Sequence, residues 1–344
     1  MKYNQVTIKD IARELGISPS TVSRALKDHP DISPQTKKSV NELAEKLNYT
    51  PNIVALSLRQ SKTNTIGVVI PEIVHFFFST VISGIEDVAY SAGYNVILTQ
   101  SGESFSREAI NIKALFNSRV DGMLISLSRE TTNFDHIEAM LAKGVPMVFF
   151  DRVYDNGNSS MVVVDDLSGA KEATKHLIDQ GCKNIIHLEG PPNLAITKQR
   201  LEGFMQAMND ANLPVPKENI IPCPLGTIEE GKLVTEKLLA NSTPDGIFAS
   251  SDPTAMGCMQ AIRNKGLKIP KDIAVMGFSN WMFSSLMDPP LSSVHQPGFE
   301  MGQEAAKLLI RHIEVKSKNN EEAPAETKLL KTTLVTRESS LKKK

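Results

Sequence analysis

The sequence is short of cysteine, of aromatic residues and of long apolar runs, and each shortage excludes a class of protein. Cys182, Cys223 and Cys258 are the only cysteines in 344 residues and lie far apart. Their spacing suits neither a disulfide framework nor a metal cluster and predicts buried thiols in a reducing compartment. No apolar run reaches the roughly 18 residues of a membrane span, and no hydrophobic signal core follows the amino terminus. The chain is therefore expected to stay in the cytoplasm without a membrane partner. Catalytic signatures are absent as well: there is no GxGxxG after the first strand-like run, no GxxxxGK[ST], no GxSxG and no HExxH. The seven histidines (His29, His75, His136, His176, His187, His295, His312) include no pair at metal-ligand spacing. No enzyme chemistry, cofactor or metal is expected.

What is present is an ordinary globular composition, 41% apolar and 22% charged with a net charge of -1, on a chain too long for one typical domain. The charge is uneven. Residues 1–60 carry nine Lys/Arg against six Asp/Glu, a net of +3, which leaves -4 for residues 61–344. A mildly basic head on a mildly acidic body fits a nucleic-acid reader joined to something else.

The head predicts three helices in quick succession. Thr7 with Asp10 at the third helical position marks a start, and Ile8, Ile11, Ala12 and Leu15 share one face before Gly16. Ser18 caps a second helix with Pro19 in its first turn, and Val22, Ala25 and Leu26 form its apolar side. Two short helices across a glycine turn form the helix-turn-helix pattern, whose second helix enters the major groove. Pro19, Ser20, Thr21, Ser23 and Arg24 would then face base edges and phosphates. Ser33-Pro34 opens a third helix, to about Leu47, where Ser33 and Thr36 suit a phosphate. From Pro51 a helix-compatible stretch lasts only about two turns, too short to stand alone. Leu58 there has two readings, a wedge that parts base steps from the minor groove or an anchor docked on the body.

From Thr65 onward short apolar strands alternate with helices. The strands fall at 66–70, 95–99, 122–126, 146–150 and 161–164, then at 184–188, 246–249 and 273–277. Nearly continuous Val/Ile/Met/Phe strands and glycine-terminated helices indicate parallel sheets covered on both faces. The class is α/β: two doubly wound subdomains, with a ligand cleft at the carboxyl ends of their strands. The expected division is 1–49 head, 50–64 hinge and linker, 65–164 with 295–326 first subdomain, 165–294 with 327–340 second, and 341–344 tail. A helix at 302–313 and one last strand near 329–336 follow both series.

Strand-end residues are the candidate ligand contacts. Asp151-Arg152, Arg200, Ser251-Asp252 and Ser279-Asn280-Trp281 suit a polyhydroxylated ligand, with charged groups taking hydroxyls and an aromatic covering a ring face. Each has an alternative. Asp252 before Pro253 caps a helix, Trp281 packs in a core, and Arg152 pairs with Asp155. Asp165 and Asp166 point to opposite sides or cap a helix. His75, Phe76, Phe77 and Phe78 leave a strand end together, and three consecutive aromatics cannot all face inward, so ligand and dimer contacts both stand open.

The segment TIKDIARELGISPSTVSRALKDHPDISPQTKKSVNELAEKLNYTPNIVALSLR resembles the head and hinge of the lactose-repressor and galactose-repressor (LacI/GalR) family of bacterial transcription regulators. The resemblance continues through IGVVIP, VDGMLI, VPMVFFDR, PDGIFASSDPTAMG, DIAVMGFSN and PPLSSVHQPGFEMGQEAAKLL, over nearly the whole chain. It implies a homodimer on a palindromic double-stranded operator and a periplasmic-binding-protein-like core sensing a small effector, often a sugar. By matching motifs, Pro19 and Ser20 read the operator and Arg24 adds a base contact. Thr7, Ser33, Thr36 and Tyr49 match backbone contacts, Asn52 and Ala55 belong to the hinge, and Leu58 matches the intercalating leucine of AxxL. In the core, Asp151, Arg200 and Gln296 match effector contacts.

Two positions depart from the sugar-binding pattern: Ser251 stands where Asn is frequent and Ser279 where Asp is. Asn280 and Trp281 are expected to take over. The effector is left open between a sugar, a sugar phosphate and a partner protein. No heptad tail follows the last strand, so a dimer rather than a coiled-coil tetramer is expected. The expected function is repression of carbohydrate-related genes under effector control. A solute-binding protein, the rival reading, would require export.

Overall fold

The computed structural model describes residues 6–49 and 62–342, which fall into two compact units meeting at Thr63/Asn64. The head comprises α1 (Ile8–Leu15), α2 (Pro19–Ala25) and α3 (Pro34–Lys46). Ser18 and Ser33 cap the latter two by accepting the Thr21 and Thr36 amides at 3.1 and 3.2 Å, and Pro19 and Pro34 open them without forfeiting a hydrogen bond. At α1 the partnership runs the other way: the Asp10 carboxylate accepts both the Thr7 amide (2.9 Å) and the Thr7 hydroxyl (2.7 Å). Gly16 closes α1 at φ 65°, where a side chain would be strained. Ile11, Ala12, Val22, Ala25, Val40 and Ala44 form the buried centre. With three alanines among those six, this core buries little apolar area.

The body begins with β1 (Thr65–Ile70), α4 (Phe76–Ser91), β2 (Asn95–Gln100), α5 (Phe105–Asn117), β3 (Gly122–Ile125), α6 (Asp135–Leu141), β4 (Met147–Phe150) and β5 (Ser160–Val164). A second series follows: α7 (Asp166–Asp179), β6 (Ile185–Glu189), α8 (Ala195–Asp210), β7 (Ile220–Pro222), α9 (Ile228–Asn241), β8 (Gly246–Ala249), α10 (Asp252–Asn264), β9 (Ala274–Ser279) and β10 (Ser292–His295). Helix α11 (Gly298–Asn319) and strands β11 (Thr327–Leu330) and β12 (Thr333–Val335) complete it.

The strands form two sheets of matching order, β11-β5-β4-β3-β1-β2 and β12-β10-β9-β8-β6-β7. All pairs are parallel except β10 with β12. Apolar side chains on both faces of each sheet explain the nearly unbroken hydrophobic strands, because helices cover both sides. Five phenylalanines, Phe149, Phe150, Phe204, Phe248 and Phe278, are fully buried, each worth about 1.5–3 kcal/mol. Helix α11 returns to the first sheet and lies against α4 at backbone contact. A Cβ on Gly302 would stand 2.0 Å from the Val81 carbonyl oxygen, and one on Gly84 equally close to that of Phe299.

The C-terminal stretch departs from expectation. The sequence pattern puts residues 327–340 wholly in the second subdomain with one strand near 329–336. Instead β11 pairs with β5 of the first sheet, and β12, two residues on, pairs antiparallel with β10 of the second. The chain thus crosses between subdomains three times, after β5, after β10 and between β11 and β12. The sequence pattern does not show β7, only three residues long and ending in Pro222, or β10, which opens on Ser292 and Ser293. Beyond β12 the chain stays with the second subdomain: Ser339 and Ser340 are buried, and Lys342, within the expected tail, donates to the Asp245 carbonyl at 2.9 Å.

Candidate functional site

Between the carboxyl ends of the two sheets lies a cleft of about 310 Å³. Its position follows from topology. In each sheet the connections reverse direction beside the first strand, β1 or β6, and the loops leaving opposite sides of that point gape apart.

Several of these loops hold strained backbone. Glu103 after β2, Asp151 after β4 and Asn280 after β9 have φ of 62°, 58° and 50°, and Ser279 has 109°. Non-glycine residues at positive φ cost of order 1–3 kcal/mol each and cluster at functional sites.

The polar floor is built from ion pairs. Asp151 is buried, 3.9 Å from Nε of Arg152. Burial pushes its carboxyl up to about 6, against the opposing pull of Arg152 and Arg200. Arg152 is engaged by Glu103, whose two oxygens each lie 2.8 Å from Nη1. Burial alone would raise Glu103, but Arg152 and the Arg129 backbone amide hold it below the usual carboxylate value. Arg200, on α8, donates through Nε to Asp166 Oδ1 at 2.7 Å and through Nη1 to the Ser250 carbonyl at 2.7 Å, with its guanidinium 3.8 Å from the Phe278 ring centre. Gln296 lies beside Asp151, where its side chain opposes the upward shift of that carboxyl, and its buried amide nitrogen makes no hydrogen bond of good geometry among the described residues.

The walls are aromatic. Phe77 and Phe78 line the side of the first sheet, and His75 faces Trp281 across the cleft with ring centres 5.5 Å apart. His75 also contacts Glu72 at 3.0 Å, and burial lowers its pKa despite that carboxylate.

Of the ligand contacts expected from sequence, His75, Phe77, Asp151, Arg200, Trp281 and Gln296 come together in the cleft, and Phe76, Asp252 and Asn280 do not line it. Phe76 opens α4 half-exposed, because the helix turns Phe77 and Phe78 inward. Asp252 is wholly buried below the surface, accepting the Trp281 amide at 2.7 Å and the Ser284 and Ser293 hydroxyls at 2.6 Å each. Its carboxyl is raised to about 6 by burial, against those donors. The helix cap is Ser251, not Asp252. Asn280 is turned away, its amide oxygen accepting from Arg337 at 2.8 Å. Arg152 pairs with Glu103 rather than Asp155. Asp165 caps α7, and Asp166 is the buried partner of Arg200.

Sequence reasoning missed Glu103 and Arg129, two loop residues whose neighbours carry no motif. Asp166 had a signal, since Arg200 required a buried carboxylate.

In the head, Pro19, Ser20 and Arg24 are exposed on α2 and Thr21 and Ser23 half-exposed. Ser18 bridges the Ser20 and Thr21 hydroxyls at 2.7 and 2.8 Å. Thr7 is exposed, the Ser33 and Thr36 hydroxyls are 2.8 Å apart, and Tyr49 packs half-buried on the head core. Asn52, Ala55 and Leu58 lie outside the described residues. Among the described residues no helix is long and apolar enough to cross a membrane.

Comparison with known proteins agrees with both units. Residues 7–52 match the family described as bacterial regulatory proteins, lacI family, and residues 63–337 that of periplasmic binding proteins and sugar binding domain of LacI family. The chain is 35% identical over 325 residues to the ribose operon repressor of Halalkalibacterium halodurans, covering 94% of this chain and 95% of that one. A LacI family transcriptional regulator from Enterococcus faecium with bound ribose is similar in structure, with TM-score 0.70 and 32% identity over 81% of this chain and 100% of the other. The lac repressor dimer bound to operator and the anti-inducer ONPF shares the fold at TM-score 0.84, 24% identity, over 98% and 100% of the two chains. Head, paired sheets and cleft therefore place this chain in the LacI/GalR family as a DNA-binding transcriptional regulator, not an enzyme.

Proposed function

We propose that the protein represses carbohydrate-related genes as a homodimer on a palindromic operator, and that a neutral sugar in the cleft modulates its operator affinity. The observation carrying the effector assignment is the pairing on the cleft floor of a buried acceptor, Asp151, with a buried donor beside it, the Gln296 amide nitrogen, which reaches that carboxylate without a well-formed hydrogen bond. A ligand satisfying both must donate and accept from neighbouring atoms, as vicinal hydroxyls do. Trp281, His75 and Phe77 supply the apolar surface that a sugar ring covers. In the head, the exposed Pro19, Ser20 and Arg24 would read bases. Thr7, Ser18, Thr21, Ser23, Ser33, Thr36 and Tyr49 would hold the backbone, and Asn52, Ala55 and Leu58 would act in the hinge.

A phosphosugar is the second reading, and the charge pattern disfavours it. Arg152 is engaged by Glu103 and Arg200 by Asp166. The third arginine of the lining, Arg129, donates to a carbonyl. A phosphate at Arg152 or Arg200 would have to break a buried ion pair, and at Arg129 it would have to compete with the Leu225 carbonyl.

Ribose, named for two similar proteins, is the first compound to test. Calorimetry of the full-length protein with ribose, other pentoses, hexoses and their phosphates should give binding to a neutral sugar, with the bound sugar changing operator affinity in a gel shift. Effector and operator must then shift each other's affinity by the same factor, commonly about 5–150-fold. Tighter binding of a phosphorylated sugar than of its parent would transfer the assignment to the phosphosugar.

A further inference from the structure

Facing loops of the two subdomains meet at one direct charge-assisted hydrogen bond. Nη1 of Arg129, after β3, donates to the carbonyl oxygen of Leu225, after β7, at 2.6 Å. Both halves are braced before they meet. On the Arg129 side, the Arg129 amide donates to Glu103 at 2.8 Å and the Ser128 amide to the wholly buried Glu108 at 2.6 Å. The Ser128 hydroxyl is tied to that of Ser101 at 2.7 Å. On the Leu225 side, the amides of Leu225 and Gly226 both donate to Glu230 at 2.8 Å, and Thr227 accepts the Glu230 amide at 3.1 Å. This capping arrangement at the start of α9 fixes the direction of the Leu225 carbonyl.

We propose that Arg129 is a positioning residue whose bond to Leu225 clasps the cleft shut without any effector. The ordering of each loop is met inside its own subdomain, so the closing bond forms between preset groups and little entropy opposes it. Glu103 joins the clasp to the floor, because the same carboxylate that holds the Arg129 amide also holds Arg152 beside Asp151. A ligand that pulls on Asp151 and Arg152 thereby acts on the loop carrying the clasp. The effector then adds to a closure that the chain already favours. The coupling to effector rests on the sugar-binding reading above, whereas the closure itself does not.

Trp281 is the only tryptophan in the chain and lines the cleft, so its fluorescence reports the cleft directly. The test is acrylamide quenching of the full-length protein with no sugar present, comparing wild type with R129A, R129M and R129K. A hydrogen bond from a charged donor that water can reach shifts an open–closed ratio by roughly a few-fold. R129A and R129M should therefore raise the quenching constant about twofold or more at unchanged far-UV circular dichroism, with R129K between them and wild type. Should R129A lose its circular dichroism, R129M, which keeps the aliphatic stem, decides. Quenching equal to wild type in a folded R129M overturns the clasp. Failure of every sugar to bind would instead overturn the effector assignment and leave the quenching result standing.

Discussion

Asp151 should cost the free protein stability at neutral pH, and replacing it with asparagine should reveal how much. Burial raises its carboxyl from 3.8 to about 6, a change of about two units and so about 3 kcal/mol. The sign is set by which state binds the proton. Between pH 4 and 6 the unfolded chain releases it while the folded chain keeps it, so stability falls across that window, and the full cost is present above pH 6. Asp151→Asn removes that decline. The amide also brings a donor towards Nε of Arg152 and the Gln296 nitrogen, a mismatch of about 1–3 kcal/mol. That penalty does not vary with pH, so it offsets the comparison without changing its slope. The stability of D151N minus that of wild type should therefore rise by about 3 kcal/mol from pH 4 to pH 7. For a unit of this size that is on the order of 5–10 °C in melting temperature. Parallel thermal-melt curves for the two proteins across that range would refute the claim that a desolvated charge sits at Asp151. The same variant should lose sugar binding, since the acceptor for the hydroxyl is gone.

Arg200→Met strands Asp166 as an unpaired buried charge and should cost about 3–5 kcal/mol, read as a fall in melting temperature at pH 7 that lessens as pH drops and Asp166 takes a proton. Gly302→Ala would set a Cβ 2.0 Å from the Val81 carbonyl and force α11 away from α4. It should destabilise the protein by about 1–3 kcal/mol in chemical denaturation without altering the isolated head. Leu58→Ala should weaken specific operator binding far more than nonspecific binding in a gel shift at fixed salt. An equal loss on both would rule out the wedge.

Much of the fold was legible because its determinants are local. The cap residues Ser18 and Ser33, each followed by a proline, announce α2 and α3, and the unbroken apolar runs announce strands covered on both faces. Asp151 and Trp281 were legible as cleft residues because each follows closely on the end of a strand, where doubly wound sheets hold ligands, and Arg200 because it lies in the first turns of the helix after one. Other positions were not legible. Asp252 has the same sequence context as a ligand contact, and only the fold turns it inward to hold Trp281, Ser284 and Ser293. Residues 327–335 are too short and too mixed in character for periodicity to say which sheet takes them, because strand pairing is a long-range choice settled by the neighbouring edge.

By itself, then, the sequence determined the capped starts of the head helices and the strands of the parallel sheets, which depend on spacings within one turn or one strand. Tertiary structure alone decided that Glu103 would bind Arg152, that Asp166 would neutralise Arg200, and that Arg129 would reach the Leu225 carbonyl 96 residues away. Each of these joins groups distant in the chain, and a charged side chain finds its partner only after the backbone has brought the two together.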